Sequence, residues 1–417
     1  MTYIRRLIDK QLASALNASE LVLIEGARGC GKTETAKQYA KSVVQLDRDP
    51  SALALSQIDP KLVLQGDHPR LIDEWQLAPG LWNEARHHVD EAQKPGLFIF
   101  TGSASALGNG IHHPGSGRAI KLRMRTMGLQ ERGISDGSYS LGKLFSGQEQ
   151  TPAVNQTPID LPALLRIMCT GGWPAYRNLD AKDALRFHNA YLQDVVNLDL
   201  KTLEGPSDPQ LAKRVLIAVA RTLGAKTPAT KIMASVVQSG IQVKHQTIQS
   251  YLSQFERLWI TEEIPAWVPH LRSRYSVTQS ARRYFSDASL AISALSANPA
   301  KLLQDLKTTG FLFENFVLNT LLSTMDALGG SVRHYRDESG LEVDAILEDD
   351  SGRWAAVEIK LGFNSVEEAA VQLLRFKQRI DTTIMGEPTF LAVVTNTQHS
   401  YRRSDGVHVI GISAIGL

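Results

Sequence analysis

The chain has 417 residues, 43% hydrophobic and 21% charged, with a formal net charge of +2. That length exceeds a single compact core, and near-neutrality excludes a chain-wide field for a polyanion, leaving only local basic patches. Cys30 and Cys169, the two cysteines, exclude a disulfide framework and fit a reducing cytosol. No apolar run approaches the ~18 residues of a membrane span, so a soluble, cytoplasmic chain without membrane contact is expected.

Residues 1–19, MTYIRRLIDKQLASALNAS, read as an amphipathic helix without the apolar stretch of a signal peptide. From 21 to 145 the strands LVLIEG, SVVQLD, PRLIDE and GLFIFTGS alternate with helical segments, the rhythm of an α/β domain with a mostly parallel sheet. This domain is taken as 1–150. Between its first strand and the helical KTETAKQYAK stands Gly26-Ala-Arg-Gly-Cys-Gly-Lys32-Thr33, the pattern G-x-x-x-x-G-K-[ST]. In that strand–loop–helix context the loop residues Gly26, Arg28, Gly29, Cys30 and Gly31 turn backbone N–H groups toward a phosphate. The helix start adds its partial positive charge. Lys32 would reach the β- and γ-phosphates, and the Thr33 hydroxyl would ligate Mg²⁺.

The strand PRLIDEWQ supplies a second magnesium anchor, Asp73, acting directly or through water, and a general base, Glu74. GLFIFTGSAS then ends in Thr101, Gly102 and Ser103; Thr101 and Ser103 would sense the γ-phosphate, unless the segment is a simple turn. Arg118, Arg123 and Arg125 follow in GRAIKLRMRTMG. One of them would act as an arginine finger, in cis or from a neighbouring subunit; exposed charges on an edge strand are the alternative. The pairs His87-His88 and His112-His113 lack partners at metal-ligand spacing and read as surface residues.

The polar stretch SGQEQTPAVNQTPID at 146–160 reads as a linker or domain boundary. Residues 161–205 follow as helices, starting after Asp160 as N-cap with Pro162 in the first turn, and 151–206 is taken as a helical lid. From 207 to 299, helices followed by a small hairpin suggest a winged helix. Ile248, Tyr251, Leu252, Phe255 and Leu258 give its VKHQTIQSYLSQFERL helix a clear helical period. Lys244, His245, Gln246 and Gln249 lie at that helix's N-terminal end, where helix-turn-helix proteins meet DNA, and Arg272, Arg274, Arg282 and Arg283 would meet phosphates. A protein-binding module or an ATPase lid is the alternative.

The last unit, 300–417, opens with the helix GFLFENFVLNTLLSTM, in which Glu314 sits beside Phe313 and Phe316. LEVDAILEDDSGRWAAVEIK, 341–360, then reads as two strands around an EDDSG turn. Strand alternation lets Asp344, Glu358 and Lys360 share one surface, with Glu342 as an additional acid. Two readings stay open: a salt-bridged solvated hairpin, or carboxylates that hold a metal.

GARGCGKTETA, LIDEWQ, FIFTGSAS and GRAIKLRM together resemble the bacterial and archaeal ATP-binding proteins of the AAA superfamily, in the group whose ATPase domain precedes a C-terminal domain of unknown function. The resemblance extends through GGWPAY and FLFENFV to the EVD and EIK segments. It implies ATP with Mg²⁺ and ATP hydrolysis. A helix Glu, then Asp, then Glu-x-Lys resembles the PD-(D/E)XK nuclease core, with Val343 where that pattern has proline. That likeness implies a nuclease-like domain with Glu314, Asp344, Glu358 and Lys360 as catalytic residues and Asp344 and Glu358 as metal ligands. The whole is expected to be a P-loop NTPase domain, a helical lid, a winged-helix-like domain and an α/β nuclease-like domain. Nucleotide state would be coupled to binding or cleavage of nucleic acid. The alternative is an ATP-driven regulatory or scaffold protein whose C-terminal domain binds a partner and cuts nothing. A finger in trans would require a homo-oligomer.

Overall fold

The structure, a computed structural model, describes all residues except 1–2, 93, 104–116, 155–158, 225–228, 239 and 270–280. Its contacts divide the chain into two units, Met1–Met127 with Arg257–Trp259, and Gly128–Glu256 with Ile260–Leu417.

The N-terminal unit is built on five parallel strands: β1 (Leu21–Glu25), β2 (Ser42–Gln45), β3 (Arg70–Asp73), β4 (Phe98–Gly102) and β5 (Ala119–Arg123). Their spatial order is β2-β3-β4-β1-β5. Leu21, Val22, Leu23 and Ile24 are all buried, as are Phe98, Ile99 and Phe100. Continuous apolar runs are what a parallel sheet covered on both faces demands. Trp75, Trp82, Phe98 and Phe100 form an aromatic centre beside the sheet, the two tryptophan rings 5.1 Å apart. β1 lies between β4 and β5, so chain connections diverge at its C-terminal end, where open α/β sheets place ligands.

The N-terminal helix is shorter than expected, Asp9–Ala18, because residues before it serve another purpose. Tyr3 OH donates to Asp9 Oδ1 at 2.7 Å, and the Arg6 amide to Asp9 Oδ2 at 2.9 Å. These bonds tie Tyr3 and Arg6 to the first residue of the helix.

The second unit carries a seven-stranded mixed sheet. Its strands are β7 (Ala153–Val154), β10 (Ser331–Arg336), β11 (Glu342–Glu348), β12 (Trp354–Lys360), β13 (Leu391–Thr395), β14 (His399–Arg402) and β15 (His408–Gly411), in the order β10-β11-β12-β13-β15-β14-β7. β11 and β12 form the expected antiparallel hairpin. Two smaller pairs accompany the sheet: β6 (Tyr139–Ser140) runs parallel to β16 (Ile415–Gly416), and β8 (Thr261–Ile264) antiparallel to β9 (Arg282–Phe285). The helix Leu306–Ala327 packs against β10, β11 and β12, and the helix Val366–Arg379 against β12 and β13. Trp267, Trp354, Phe376 and Val393 belong to the core between these elements.

A helical layer completes the unit. The helix Ala288–Ala294, buried from Ala288 to Ser293, packs against Leu161–Thr170, Ala181–Asn197, Pro209–Arg221 and Leu306–Ala327. Asp160 caps the first of these, accepting from Ala163 N at 2.7 Å. Within the polar 146–160 stretch, Ala153–Val154 pairs with β14. A proline-bearing polar segment is at home on a sheet edge, where one side of the backbone needs no partner. Gly128–Glu256 and Ile260–Leu417, which hold the lid, middle and C-terminal segments, fall in one of the two contact units.

Candidate functional sites: a phosphate loop and a carboxylate cluster

Gly26, Gly29 and Gly31 in the loop after β1 have φ of 158°, 76° and 110°. A side chain at Gly26 would place its Cβ 2.1 Å from Met124 O, so only glycine lets the loop lie against the end of β5. Arg28 and Gly29 are exposed at the crest, while Cys30 is buried with Sγ 3.5 Å from Met124 O. Arg6 supports the loop from behind: Nη1 donates to Cys30 O at 2.8 Å and Nη2 to Arg125 O at 2.9 Å.

Lys32, 5% exposed, opens the helix Lys32–Lys37. Its Nζ donates to Gly26 O at 2.8 Å, Ala27 O at 3.0 Å and Ser103 Oγ at 3.3 Å. Among the described residues no carboxylate pairs with it, so a buried ammonium faces only neutral acceptors. Such a charge suits an anion. Beside it, Thr33 Oγ1 donates to Asp73 Oδ1 at 2.9 Å, the Thr101 hydroxyl donates to the same oxygen, and Gln45 Nε2 donates to Oδ2 at 3.2 Å. Hydroxyl and carboxylate oxygens are the hard donors Mg²⁺ takes, and Thr33 with Asp73 fits that ion.

Glu74 follows Asp73 in the left-handed region, φ 55°, a backbone state that costs a non-glycine residue about 1–3 kcal/mol. That turn carries its carboxylate to Gln76 Nε2, which donates to it, and to Ser103 Oγ at 3.4 Å. Ser103 therefore links Lys32 to Glu74. Glu74, Asp73, Thr101, Ser103, Lys32 and Thr33 are brought together by three adjacent strand ends.

Arg118 is not. It precedes β5, whose register with β1 runs from Leu21–Ala119 to Glu25–Arg123, so it stands at the opposite end of the strands from the loop. It pairs with Asp90, an exposed residue of the helix Gly80–Ala92. The expectation that it touches nucleotide is corrected, because a parallel sheet offers the loop only its C-terminal ends. Arg123 does lie at that end, its guanidinium 4.7 Å from the centroid of the Trp259 ring. Arg125 falls beyond the strand. His87 and His88 are exposed, whereas His112 and His113 lie outside the described residues.

The second site lies at β11 and β12. Their register pairs Ala345 with Val357, and one further step sets Asp344 across from Glu358. Lys360 Nζ lies 2.6 Å from Glu358 Oε2 and 3.4 Å from Asp344 Oδ2. The Ile359 amide donates to Asp344 Oδ2 at 2.9 Å, and Gln372 Nε2 to Glu358 Oε1 at 3.3 Å. Glu314, buried on its helix, accepts from Tyr284 OH at 2.5 Å. Into this group reaches Arg282 of β9, 2% exposed, with Nη1 3.9 Å from both Glu314 Oε1 and Asp344 Oδ1 and Nη2 on Glu342. Arg336 Nη1 holds the other oxygen of Glu342 at 2.6 Å.

Burial, and then the negative charge of Asp344, raises Glu314 to about 7 against the pull of Tyr284, Arg282 and Lys360. The same two causes push Glu358 well above the usual carboxylate range despite Lys360. Burial opposes the charge on Lys360, but Asp344 and Glu358 outweigh it and raise the ammonium. Arg282 is likewise raised: burial acts against it, while Tyr284, Glu314, Asp344 and Glu342 prevail.

As arranged, these carboxylates do not fit a metal. Among the described residues, no group of three or more His, Cys, Asp or Glu side chains is set to hold an ion. The oxygens of Glu314, Asp344 and Glu358 are directed at Arg282, Lys360, Tyr284, Gln372 and the Ile359 amide. Asp344 and Glu358, expected as metal ligands, face Lys360, the Ile359 amide and Gln372. The placing of Arg282 and Arg283 on phosphate is corrected: Arg282 points inward, and Arg283 pairs with Glu263 across the hairpin. Arg272 and Arg274 lie outside the described residues. Lys244, His245, Gln246 and Gln249 are exposed.

Sequence reasoning missed Arg6, Gln45, Tyr284 and Gln372 as partners. Each acts across a long stretch of chain, and none belongs to a local pattern.

Residues 18–132 match the family described as AAA domain, residues 161–301 one described as Domain of unknown function (DUF8612), and residues 309–415 another, Domain of unknown function (DUF4143). No curated protein matches the chain. Among solved structures, a Walker-type ATPase of Pyrococcus abyssi is 13% identical, over 69% of this chain and 94% of that one, with a TM-score of 0.42. A half-complex of Thermococcus gammatolerans McrB AAA+ hexamers with bound McrC is 10% identical, over 48% of this chain and 46% of that one, with a TM-score of 0.19. Residues 18–132 are thus an AAA-type P-loop domain. Among the described residues no helix is long and apolar enough to cross a membrane.

Proposed function

We propose that the N-terminal unit binds ATP with Mg²⁺ and hydrolyses it, and that the nucleotide cycle regulates what the C-terminal unit binds. The observation that carries this reading is Lys32: a buried ammonium held only by neutral acceptors, next to the hydrogen-bonded pair Thr33 and Asp73. Bound phosphate oxygens would replace the loop carbonyls around Nζ, exchanging neutral acceptors for charged ones. Thr33 and Asp73 would hold Mg²⁺, which neutralises charge developing on the phosphates. Glu74 would take the proton of the attacking water, with Ser103 orienting its carboxylate and Thr101 fixing Asp73.

In the C-terminal unit, the ion-paired carboxylates favour a binding module over one that cleaves. DNA is the proposed ligand of the winged-helix-like region, through exposed Lys244, His245, Gln246 and Gln249. A cytoplasmic homo-oligomer in which an arginine of one copy completes the site of the next belongs to the same proposal.

Fluorescent-ATP titration and phosphate release separate the roles. Lys32→Ala should lose tight ATP binding, whereas Glu74→Gln should keep it and lose turnover. Undiminished affinity in Lys32→Ala would overturn the assignment. DNA contact is tested by salt-dependent binding that weakens in Lys244→Ala; DNA affinity indifferent to that change would remove DNA from the reading.

A further inference from the structure

The phosphate loop is held partly by its own bonds and partly by a residue from outside it. Cys30 N donates to Ala27 O at 3.2 Å, and Thr35 N to Gly31 O at 3.0 Å. Those bonds secure the backbone on either side of the peptide that joins Cys30 to Gly31. The carbonyl of that peptide, Cys30 O, is taken by Arg6 Nη1 at 2.8 Å. Nη2 of the same fork donates to Arg125 O at 2.9 Å.

A trans peptide is planar, with its C=O and N–H on opposite sides. Holding Cys30 O toward Arg6 therefore turns the Gly31 N–H the other way. The hold matters because Gly31, at φ 110°, is free of the steric limits on other residues, so this peptide can rotate at little cost. Turned over, it would set a carbonyl oxygen where a phosphate needs a donor. The charged guanidinium also polarises the peptide and strengthens its N–H as a donor. A planar fork can hold carbonyls of two separate segments at once, which a single ammonium on a flexible stem does less well.

Arg6 is itself fixed. It is 7% exposed, and its backbone N–H donates to Asp9 Oδ2 at 2.9 Å. Tyr3 OH, which donates to Asp9 Oδ1 at 2.7 Å, lies 3.1 Å from Thr35 Oγ1. The segment from Tyr3 to Asp9 is thus tied to the helix that follows the loop.

We propose that Arg6 is a positioning residue of the phosphate loop: by holding Cys30 O it aims the Gly31 N–H at the α- or β-phosphate of a bound nucleotide, without touching the nucleotide. This role rests on the ATP-binding reading above. Loop amides cradle phosphates that ATP and ADP share, so the aimed bond is made equally before and during hydrolysis. Losing it weakens both nucleotides alike and leaves kcat nearly unchanged.

The test is calorimetric titration of the full chain with ADP, beside steady-state ATP turnover. Arg6→Gln should raise the ADP dissociation constant and the KM for ATP by one factor, roughly 10- to 100-fold, the scale of a hydrogen bond to a charged group. One site per chain and kcat should be kept. A merely structural role would lower the number of sites per chain while the remaining sites held wild-type affinity, and that result overturns the proposal. Arg6→Lys, which keeps the charge and reaches one carbonyl, should fall between wild type and Arg6→Gln.

A second measurement needs no variant. With ¹⁵N-glycine labelling, ADP should move the Gly31 amide proton strongly downfield in wild type, and less in Arg6→Lys. A wild-type Gly31 signal indifferent to ADP sinks the proposal even where the Arg6 variants fail to fold. Wild type that binds no ADP would take the ATP-binding reading down as well, whereas wild-type ADP affinity in both variants removes the role of Arg6 alone.

Discussion

Both sites set a lysine beside carboxylates at the end of a β-strand. At the phosphate loop Lys32 touches two carbonyls and a hydroxyl, and Asp73 is occupied by Thr33, Thr101 and Gln45. At the cluster Lys360 closes on Glu358 and Asp344, while Arg282 fills the remaining space. The residue types are alike, and the difference lies in whether opposite charges have already met. Where they are kept apart, a ligand of either sign gains by entering. Where they have met, the same groups fasten one element to another.

The largest expected effect tests the open half of that contrast. Lys32→Ala should lower kcat/KM for ATP on the order of 10²–10³-fold, the scale of removing one preorganised donor from a developing anion. Steady-state phosphate release beside a thermal melt checks it. A loss of activity that simply tracked a loss of folded protein would put Lys32 among structural residues instead.

The closed half is probed through stability. Arg282→Ala leaves Glu314, Glu342 and Asp344 facing one another, and removing one member of a buried ionic group costs about 3–5 kcal/mol. Urea denaturation followed by tryptophan fluorescence should show that loss. Adding Glu314→Gln should recover part of it, because the uncompensated acids then number one fewer. A double variant as unstable as the sum of the two single changes would break the picture of one coupled cluster.

The contrast was only half legible in the sequence. Gly26 to Thr33, Asp73-Glu74 and Thr101 to Ser103 lie in short windows whose spacing sets their chemistry, and the strand order brings those windows together. Glu314, Asp344, Glu358 and Lys360 also converge as their positions suggested. Their meaning turned on Arg282, read as a phosphate contact on a wing, which crosses from β9 to the acids. Alternation along a strand says which residues share a face, but not which distant side chain meets them. Ala153–Val154 shows the same limit, since composition alone cannot tell a linker from an edge strand paired far along the chain.

A smaller effect follows from Glu314. Its folded-state value near 7 lies above the ordinary 4.5, so between those values the native chain holds a proton that the unfolded chain has released. The stabilisation is complete below about 4.5 and is lost as pH rises through about 7. The stability advantage of wild type over Glu314→Gln should therefore shrink between pH 5 and pH 7.5. A difference constant across that range would mean that Glu314 is ionised throughout, and the cluster more open to water than its burial implies.

The smallest effect has the opposite sign and arises at β6 and β15. Burial pushes His408 down to about 4, with Arg402 adding to the shift, and Tyr139 OH lies 2.6 Å from its Nδ1. The native imidazole stays neutral while the unfolded one takes a proton below about 6.5, so its contribution is present above that pH and fades as pH falls through about 4. From pH 4.5 to 6.5 it opposes the trend from Glu314, and wild type should look flatter than either group alone would make it. Glu314→Gln should unmask the acid-side loss as a steeper fall in stability below pH 6. Tyr139→Phe should cost only about 1 kcal/mol, the net worth of one hydrogen bond, with the pH at which stability fades nearly unchanged. That outcome follows because desolvation, not the phenol, is the larger influence on His408; a marked shift in Tyr139→Phe would make the hydrogen bond its cause instead.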